Sequence, residues 1–215
     1  MQSTEKKQIT EKYDVVLMSV GRKPNTEGLH LDAIGVKLNE RKSIEINSKF
    51  KTSIDGIYAI GDVVPGPMLA HKAEEEGVAC VEFITGQKPH LNYDIIPAIV
   101  YTSPEVASVG KTESELKEAK IDYKVGKFPF MANGRALTTS STEGFVKILA
   151  DTKTDEILGA HIIGHDAGQL IAEIVTTMEF GGSSEDIARI CHAHPTTSEA
   201  VKEAAMNIEG RAIHI

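Results

Sequence analysis

The chain has 215 residues, of which 41% are apolar and 25% charged, and its formal net charge is −8. This composition is typical of a soluble globular protein and excludes the disordered and fibrous classes. An acidic chain without a basic stripe is not expected to bind nucleic acid. The longest apolar runs, such as Ile95 to Val100, are far shorter than the roughly 20 residues that cross a bilayer, and the polar start is unlike a signal peptide, so no membrane role is expected.

The first 86 residues predict pieces of an α/β domain. An apolar, β-branched run predicts a buried strand over 13–20, and short strands are predicted over 43–46 and 57–60. A helix is predicted from about 69 to 85, ended by Gly86. This part has no βαβ repeat and no G-x-G-x-x-G, so we expect the missing strands to lie upstream in a longer parent chain.

The pattern of predicted strands and helices changes after Gly86-Gln87-Lys88-Pro89, which predicts a domain boundary. Strands that come first and helices that follow indicate an α+β layer with a core of its own. The predicted strands cover 96–101, 106–109, 125–130, 145–150 and 157–163, and the predicted helices cover 167–180, 184–189 and 197–208, with a further short helix opened by the capping box Thr112 to Glu115.

The two cysteines do not form a recognisable site. Cys80 and Cys191 are far apart and have no C-x-x-C or C-x4-C spacing, so neither a disulfide framework nor a metal site is predicted. A reducing compartment is the simple interpretation. Cys80 is expected to be a buried helical residue, whereas Cys191 precedes two histidines and its role stays open.

The segment from Cys191 to Ala200 reads C-H-A-H-P-T-T-S-E-A and is the strongest chemical signal. His194 stands before Pro195, and Glu199 falls in the first turn of the next helix. One interpretation is a histidine base with a carboxylate partner. The other is a capping box, because Thr196 and Glu199 have the S/T-x-x-E spacing in which the glutamate only binds an amide.

Two further motifs lie in the first part of the chain. A predicted strand ends in Gly61-Asp62, which places a carboxylate at the edge of a sheet where α/β proteins bind ligands, although an ordinary turn aspartate would look the same. The segment G-R-K-P-N, from Gly21 to Asn25, predicts a turn and is weak evidence by itself.

Taken in order, the three motifs resemble the dihydrolipoamide dehydrogenases, a branch of the pyridine nucleotide-disulfide oxidoreductases, over residues 13–210. The glutathione and mercuric reductases share the H-P-T core but usually lack the C-H-A-H lead-in. The resemblance implies that residues 1–24 are the end of an NAD-binding domain, 25–90 the returning segment of an FAD-binding α/β domain, and 91–215 an interface domain with an antiparallel sheet and helices.

The resemblance also implies the site residues. His194, in a typically cis His-Pro peptide, is the base that deprotonates a dihydrolipoyl thiol, since only the thiolate attacks a disulfide. Glu199 orients and stabilises the imidazole. His192 is expected to be structural.

The flavin and nicotinamide contacts fall in the first part of the chain. Asp62 is expected to bind the FAD ribityl chain, and Gly61 allows close backbone approach. Gly21 is expected near the NAD nicotinamide. The expected neighbours of the flavin are Met68, Leu69, Ala70 and His71.

The implied assembly is an isologous homodimer in which His194 faces the disulfide and flavin of the other subunit. Lipoyl domains of 2-oxoacid dehydrogenase complexes or of the glycine cleavage system are the expected partners, in a bacterial cytoplasm or a mitochondrial matrix. The chain has no C-x4-C disulfide and no NAD-binding glycine loop, so by itself it is expected to be inactive. The alternatives are a catalytically silent dimerisation module and part of a sibling reductase such as glutathione reductase.

Overall fold

The structure is a computed structural model that describes residues 10–215. The first nine residues, which belong to the polar start and to the segment 1–24, lie outside the described residues. The chain divides into two compact units, one that ends at Lys88 and one that covers Pro89–Ile215.

The first unit contains one long helix, α1 (Ala70–Ile84). The helix ends before Gly86, as the sequence predicts, and its end is a Schellman motif: Gly86 has a φ of +80°, and the Gln87 N–H donates to the Glu82 carbonyl oxygen at 2.8 Å. A 3-10 turn at Gly61–Val63 precedes the helix.

The strand predictions for the first unit are wrong for the described structure. Residues 13–20 form no strand there, and Val15 and Leu17 are 84% and 86% exposed. The predicted strands at 43–46 and 57–60 are reduced to isolated bridges, Leu38 with Ile44 and Lys51 with Tyr58. A strand is stable only when a neighbour pairs with its backbone groups, and the part of this unit that the structure describes does not supply a sheet.

The second unit is built on a five-stranded antiparallel sheet of order β1-β2-β5-β4-β3, so the expected α+β fold is confirmed. The elements in chain order are β1 (Ala98–Val100), β2 (Glu105–Gly110), α2 (Glu113–Glu118), β3 (Tyr123–Pro129), α3 (Gly134–Thr138), β4 (Phe145–Asp151), β5 (Ile157–Gly164), α4 (Ala167–Glu179), α5 (Ser184–Arg189) and α6 (Glu199–Met206). The short helix α3 was not predicted. The capping box Thr112–Glu115 opens α2 as predicted.

Helix packing on this sheet decides where the later motif lies. Helix α4 contacts β2 and β5, while α6 contacts β3 and β4 and also packs on α5. Alternate residues of the central strands, such as Val146, Ile148, Ala160 and Ile162, are completely buried in the core. The close approach of α6 to β3 requires Gly126, because a Cβ at that position would lie 2.0 Å from the Ala204 carbonyl oxygen. Because α5 and α6 pack on each other, the loop between them is held at both ends.

Candidate functional site

The motif from Cys191 to Ala200 forms the loop between α5 and α6 and the first turn of α6. A capping box at Ser183 and Asp186 opens α5, and the His194-Pro195 peptide that follows α5 is cis. His194 lies in this loop and Glu199 lies in the first turn of α6, and their side chains face each other.

A carboxylate holds one nitrogen of the His194 ring. His194 Nδ1 lies 2.9 Å from Oε1 and 3.2 Å from Oε2 of Glu199. The imidazole is 74% exposed, whereas the Glu199 side chain is only 22% exposed. Because a carboxylate accepts, Nδ1 carries the proton of the neutral ring and the exposed Nε2 carries the lone pair. The arrangement leaves most of the imidazole open to solvent and one of its nitrogens held by a carboxylate.

The second interpretation of the spacing also holds in part. The Thr196 N–H donates to Glu199 Oε2 at 2.8 Å, which is the amide contact of a capping box. The reciprocal contact, from the Glu199 N–H to the Thr196 hydroxyl, is not made in the described structure, where this hydroxyl donates to the Ala193 carbonyl oxygen at 2.7 Å and lies 2.9 Å from the Ser198 hydroxyl. One carboxylate therefore binds both the backbone and the imidazole, and the two roles do not exclude each other.

The electrostatics favour an ionised Glu199. Burial opposes ionisation of this carboxyl group, but the hydrogen bonds from the Thr196 amide and from His194 outweigh it, so the pKa of Glu199 lies below its usual value. A carboxylate that stays charged can stabilise the imidazolium that forms when the ring accepts a proton.

His192, in the same loop, has a structural position. Its side chain is 5% exposed, with Nε2 2.6 Å from Glu173 Oε1 of α4 and Nδ1 3.1 Å from the Ile190 carbonyl oxygen. Lys202 of α6 also donates to that carbonyl oxygen, at 2.8 Å. These contacts tie the loop to two helices. Cys191 is exposed and Cys80 is buried, and both are free thiols.

The sequence analysis did not find Asn133, which also fixes the loop. Asn133 is 3% exposed, and its Nδ2 donates to the Thr196 carbonyl oxygen at 3.0 Å. Its Oδ1 accepts the Ala136 N–H at 2.9 Å and so caps α3. An asparagine before Gly134 is a recognisable helix cap, but nothing in the sequence indicates the contact with Thr196.

The residues expected to bind flavin lie around the start of α1 in the first unit. Asp62 is exposed within the 3-10 turn, next to the buried Gly61, and Gly61 has a φ of +74°. Leu69 is the N-cap of α1, and Ala70 and His71 begin the helix. An exposed carboxylate at this turn fits the hydroxyl groups of a ribityl chain.

The structure brings the two motifs of the first unit together. The Arg22 Nη2 donates to the Met68 carbonyl oxygen at 2.5 Å, so the turn that begins at Gly21 lies beside the segment that leads into α1. Gly21 has a φ of +141° and is exposed, with no other heavy atom within 4 Å of a Cβ built there.

In residues 10–215 no helix is both long enough and apolar enough to cross a membrane.

Two solved structures are similar to this chain. LpdA from Mycobacterium tuberculosis matches with a TM-score of 0.83 and 27% identity, over 89% of this chain and 42% of that one. The HOCl-induced flavoprotein disulfide reductase RclA from Escherichia coli matches with a TM-score of 0.81 and 27% identity, over 86% and 43%. The fold of this chain is thus that of part of a flavoprotein disulfide reductase.

Family models give the more particular assignment. Residues 96–205 match the pyridine nucleotide-disulphide oxidoreductase dimerisation domain, and residues 1–77 match the pyridine nucleotide-disulphide oxidoreductase model. The chain belongs to the pyridine nucleotide-disulphide oxidoreductase family.

Curated relatives are more similar in sequence than the solved structures. The mitochondrial dihydrolipoyl dehydrogenase of Pisum sativum is 58% identical over 202 residues, which are 94% of this chain and 40% of the relative. The dihydrolipoyl dehydrogenase of Trypanosoma brucei brucei is 59% identical over 94% of this chain and 42% of the relative. Leghemoglobin reductase of Glycine max is 60% identical over 90% and 37%. The chain spans about 40% of the length of such relatives.

Proposed function

We propose that the chain supplies the base and the subunit interface of a dihydrolipoyl dehydrogenase that uses FAD and NAD. The observation that carries the proposal is the His194-Glu199 pair, in which Nδ1 is held by a carboxylate and Nε2 is exposed. The high identity to relatives named dihydrolipoyl dehydrogenase favours dihydrolipoamide as the substrate over the substrate of glutathione reductase.

His194 performs the proton transfer. Nε2 accepts the proton of a dihydrolipoyl thiol as the S–H bond breaks, and the thiolate then attacks a disulfide, forming one S–S bond and releasing a thiolate. Glu199 keeps Nδ1 protonated and stabilises the imidazolium. Cys80 is buried, and both cysteines are free thiols without the C-x4-C spacing, so the disulfide in this proposal belongs to another part of the parent enzyme. By itself the chain is expected to be inactive.

The cofactor contacts belong to the first unit. Asp62 would accept hydrogen bonds from the ribityl hydroxyl groups of FAD, with Gly61 and the segment from Met68 to His71 against the flavin, and Gly21 would lie near NAD. FAD held by these residues would supply the acceptor for the electron pair of the dithiol.

The partners follow from the site. An exposed base needs a surface that excludes water, and the match to a dimerisation domain supports a homodimer whose second subunit faces His194. Lipoyl domains of 2-oxoacid dehydrogenase complexes or of the glycine cleavage system would deliver the dithiol. A bacterial cytoplasm or a mitochondrial matrix is the expected location, and the Pisum sativum relative is named mitochondrial.

The test is a hybrid enzyme in which this chain replaces the matching part of the Pisum sativum relative. The hybrid is expected to reduce NAD with dihydrolipoamide, and His194→Gln is expected to lower its kcat by about 10²- to 10⁴-fold, the usual contribution of a general base. His165→Gln is the matched control, because His165 is also an exposed imidazole beside a carboxylate, Asp166. A hybrid in which both variants are equally active would refute the assignment of His194.

A further inference from the structure

Helix α1 contains a buried ion pair that the proposed chemistry does not use. Lys72 Nζ lies 2.9 Å from Glu76 Oε1, and each side chain is only 1% exposed. Removing two charges from water is costly, and their attraction offsets that cost only when further hydrogen bonds satisfy the remaining atoms. The contacts of this pair therefore indicate what it does.

The pair binds both peptide groups of Gly61. Glu76 Oε2 accepts the Gly61 N–H at 2.7 Å, and Lys72 Nζ donates to the Gly61 carbonyl oxygen at 3.4 Å. The lysine stem also lies against Gly66, where a built Cβ would be 2.9 Å from Lys72 Cε. The pair therefore contacts both ends of the segment 61–66, which carries the exposed Asp62.

We propose that Glu76, whose buried charge Lys72 balances, is a positioning residue that fixes the segment 61–66 through the Gly61 N–H, so that the Asp62 carboxylate faces the hydroxyl groups of the flavin ribityl chain. The proposal rests on the proposed flavin site. Two apolar side chains of similar size would fill the same space, but they would leave the Gly61 N–H and carbonyl without these partners. An acceptor at position 76 is thus required by the conformation of the segment, whereas the packing of α1 needs only the volume.

Two double variants separate these roles. Lys72→Met with Glu76→Gln keeps an acceptor for the Gly61 N–H, while Lys72→Met with Glu76→Met removes it. Because apolar residues often replace a buried ion pair without loss of stability, the Met/Gln variant is expected to melt near the wild-type temperature in circular dichroism. The double Met variant leaves the buried Gly61 N–H without its acceptor, so it is expected to melt at a lower temperature but to stay folded under the conditions of both measurements. The same double Met change at the exposed pair Lys51 and Asp55 is the control.

The first measurement is amide hydrogen exchange by NMR on the full 215-residue chain. In the double Met variant the Gly61 amide is expected to exchange about tenfold faster or more, as for the loss of one buried hydrogen bond, whereas the Met/Gln variant and the control exchange like wild type. If the Gly61 amide of the double Met variant exchanges at the wild-type rate, the proposal is overturned.

The second measurement is FAD affinity in the hybrid enzyme. The double Met variant is expected to bind FAD about tenfold more weakly, while the Met/Gln variant binds it like wild type. Asp62→Asn separates the two proposals. If Asp62→Asn leaves FAD affinity unchanged, the flavin site is wrong, and Gly61 exchange alone decides whether the pair fixes the segment. If Asp62→Asn weakens binding but the double Met variant does not, the positioning role is wrong.

Discussion

Asn133→Ala tests how strongly the second unit holds the His194 loop. Asn133 is almost completely buried and joins the cap of α3 to the Thr196 carbonyl oxygen, so the alanine variant loses two hydrogen bonds. Loss of the helix cap costs about 1 kcal/mol. Loss of the second bond, which leaves a carbonyl without its partner, costs about 1 to 3 kcal/mol. The free energy of unfolding should therefore fall by about 2 to 4 kcal/mol.

Asn92→Ala is a matched control for this measurement. Asn92 Oδ1 accepts the Asp94 N–H at 3.1 Å and caps a 3-10 turn of the same unit. This variant should cost about 1 kcal/mol, the loss of a cap alone. The assay is urea denaturation followed by far-ultraviolet circular dichroism. If Asn133→Ala costs no more than Asn92→Ala, the bond to Thr196 does not stabilise the loop and the reasoning is refuted.

The remaining predictions concern the His194-Glu199 pair, the packing of α6 and the buried imidazole of His161. In the hybrid enzyme, Glu199→Gln keeps an acceptor for His194 Nδ1 but removes the charge that stabilises the imidazolium, so it should lower kcat about 10- to 150-fold, and an unchanged kcat would contradict this. Gly126→Ala should cost about 3 kcal/mol or more in urea denaturation, because its Cβ would meet the Ala204 carbonyl oxygen at 2.0 Å, whereas the helical Gly77→Ala, with 3.4 Å to its nearest neighbour, should not destabilise the chain. Burial and then the Lys147 ammonium hold the pKa of His161 below its usual value, and within the described residues its buried Nδ1 has no hydrogen-bond partner. The folded state thus binds this proton less readily than the unfolded state, so the stability that His161 confers above about pH 6.5 is lost as the pH falls through that value. His161→Gln should reduce the loss of unfolding free energy between about pH 7.5 and pH 5.5, and an equal loss in wild type and variant would exclude this role.

Local patterns in the sequence were sufficient to predict most strands and helices of the second unit. The two-residue alternation of the central strands, the capping box at Thr112 and the helical periodicity of α4 each reflect interactions between residues close in the chain. The same holds for the Schellman end of α1 at Gly86. The strand predicted over 13–20 failed because a strand needs a partner, and no local pattern shows whether the partner is present.

The sequence by itself determined the α+β class and the order of the three motifs, and its resemblance to a known family led to the proposal of His194 and Glu199. Only the tertiary structure decided that one carboxylate binds both His194 and the Thr196 amide, that Asn133 reaches Thr196 across 63 residues, and that Lys72 and Glu76 enclose Gly61. Such contacts depend on which faces of the helices and strands pack together. A side chain acquires its distant partner only when the core has formed, and that pairing leaves no periodic signal in the sequence.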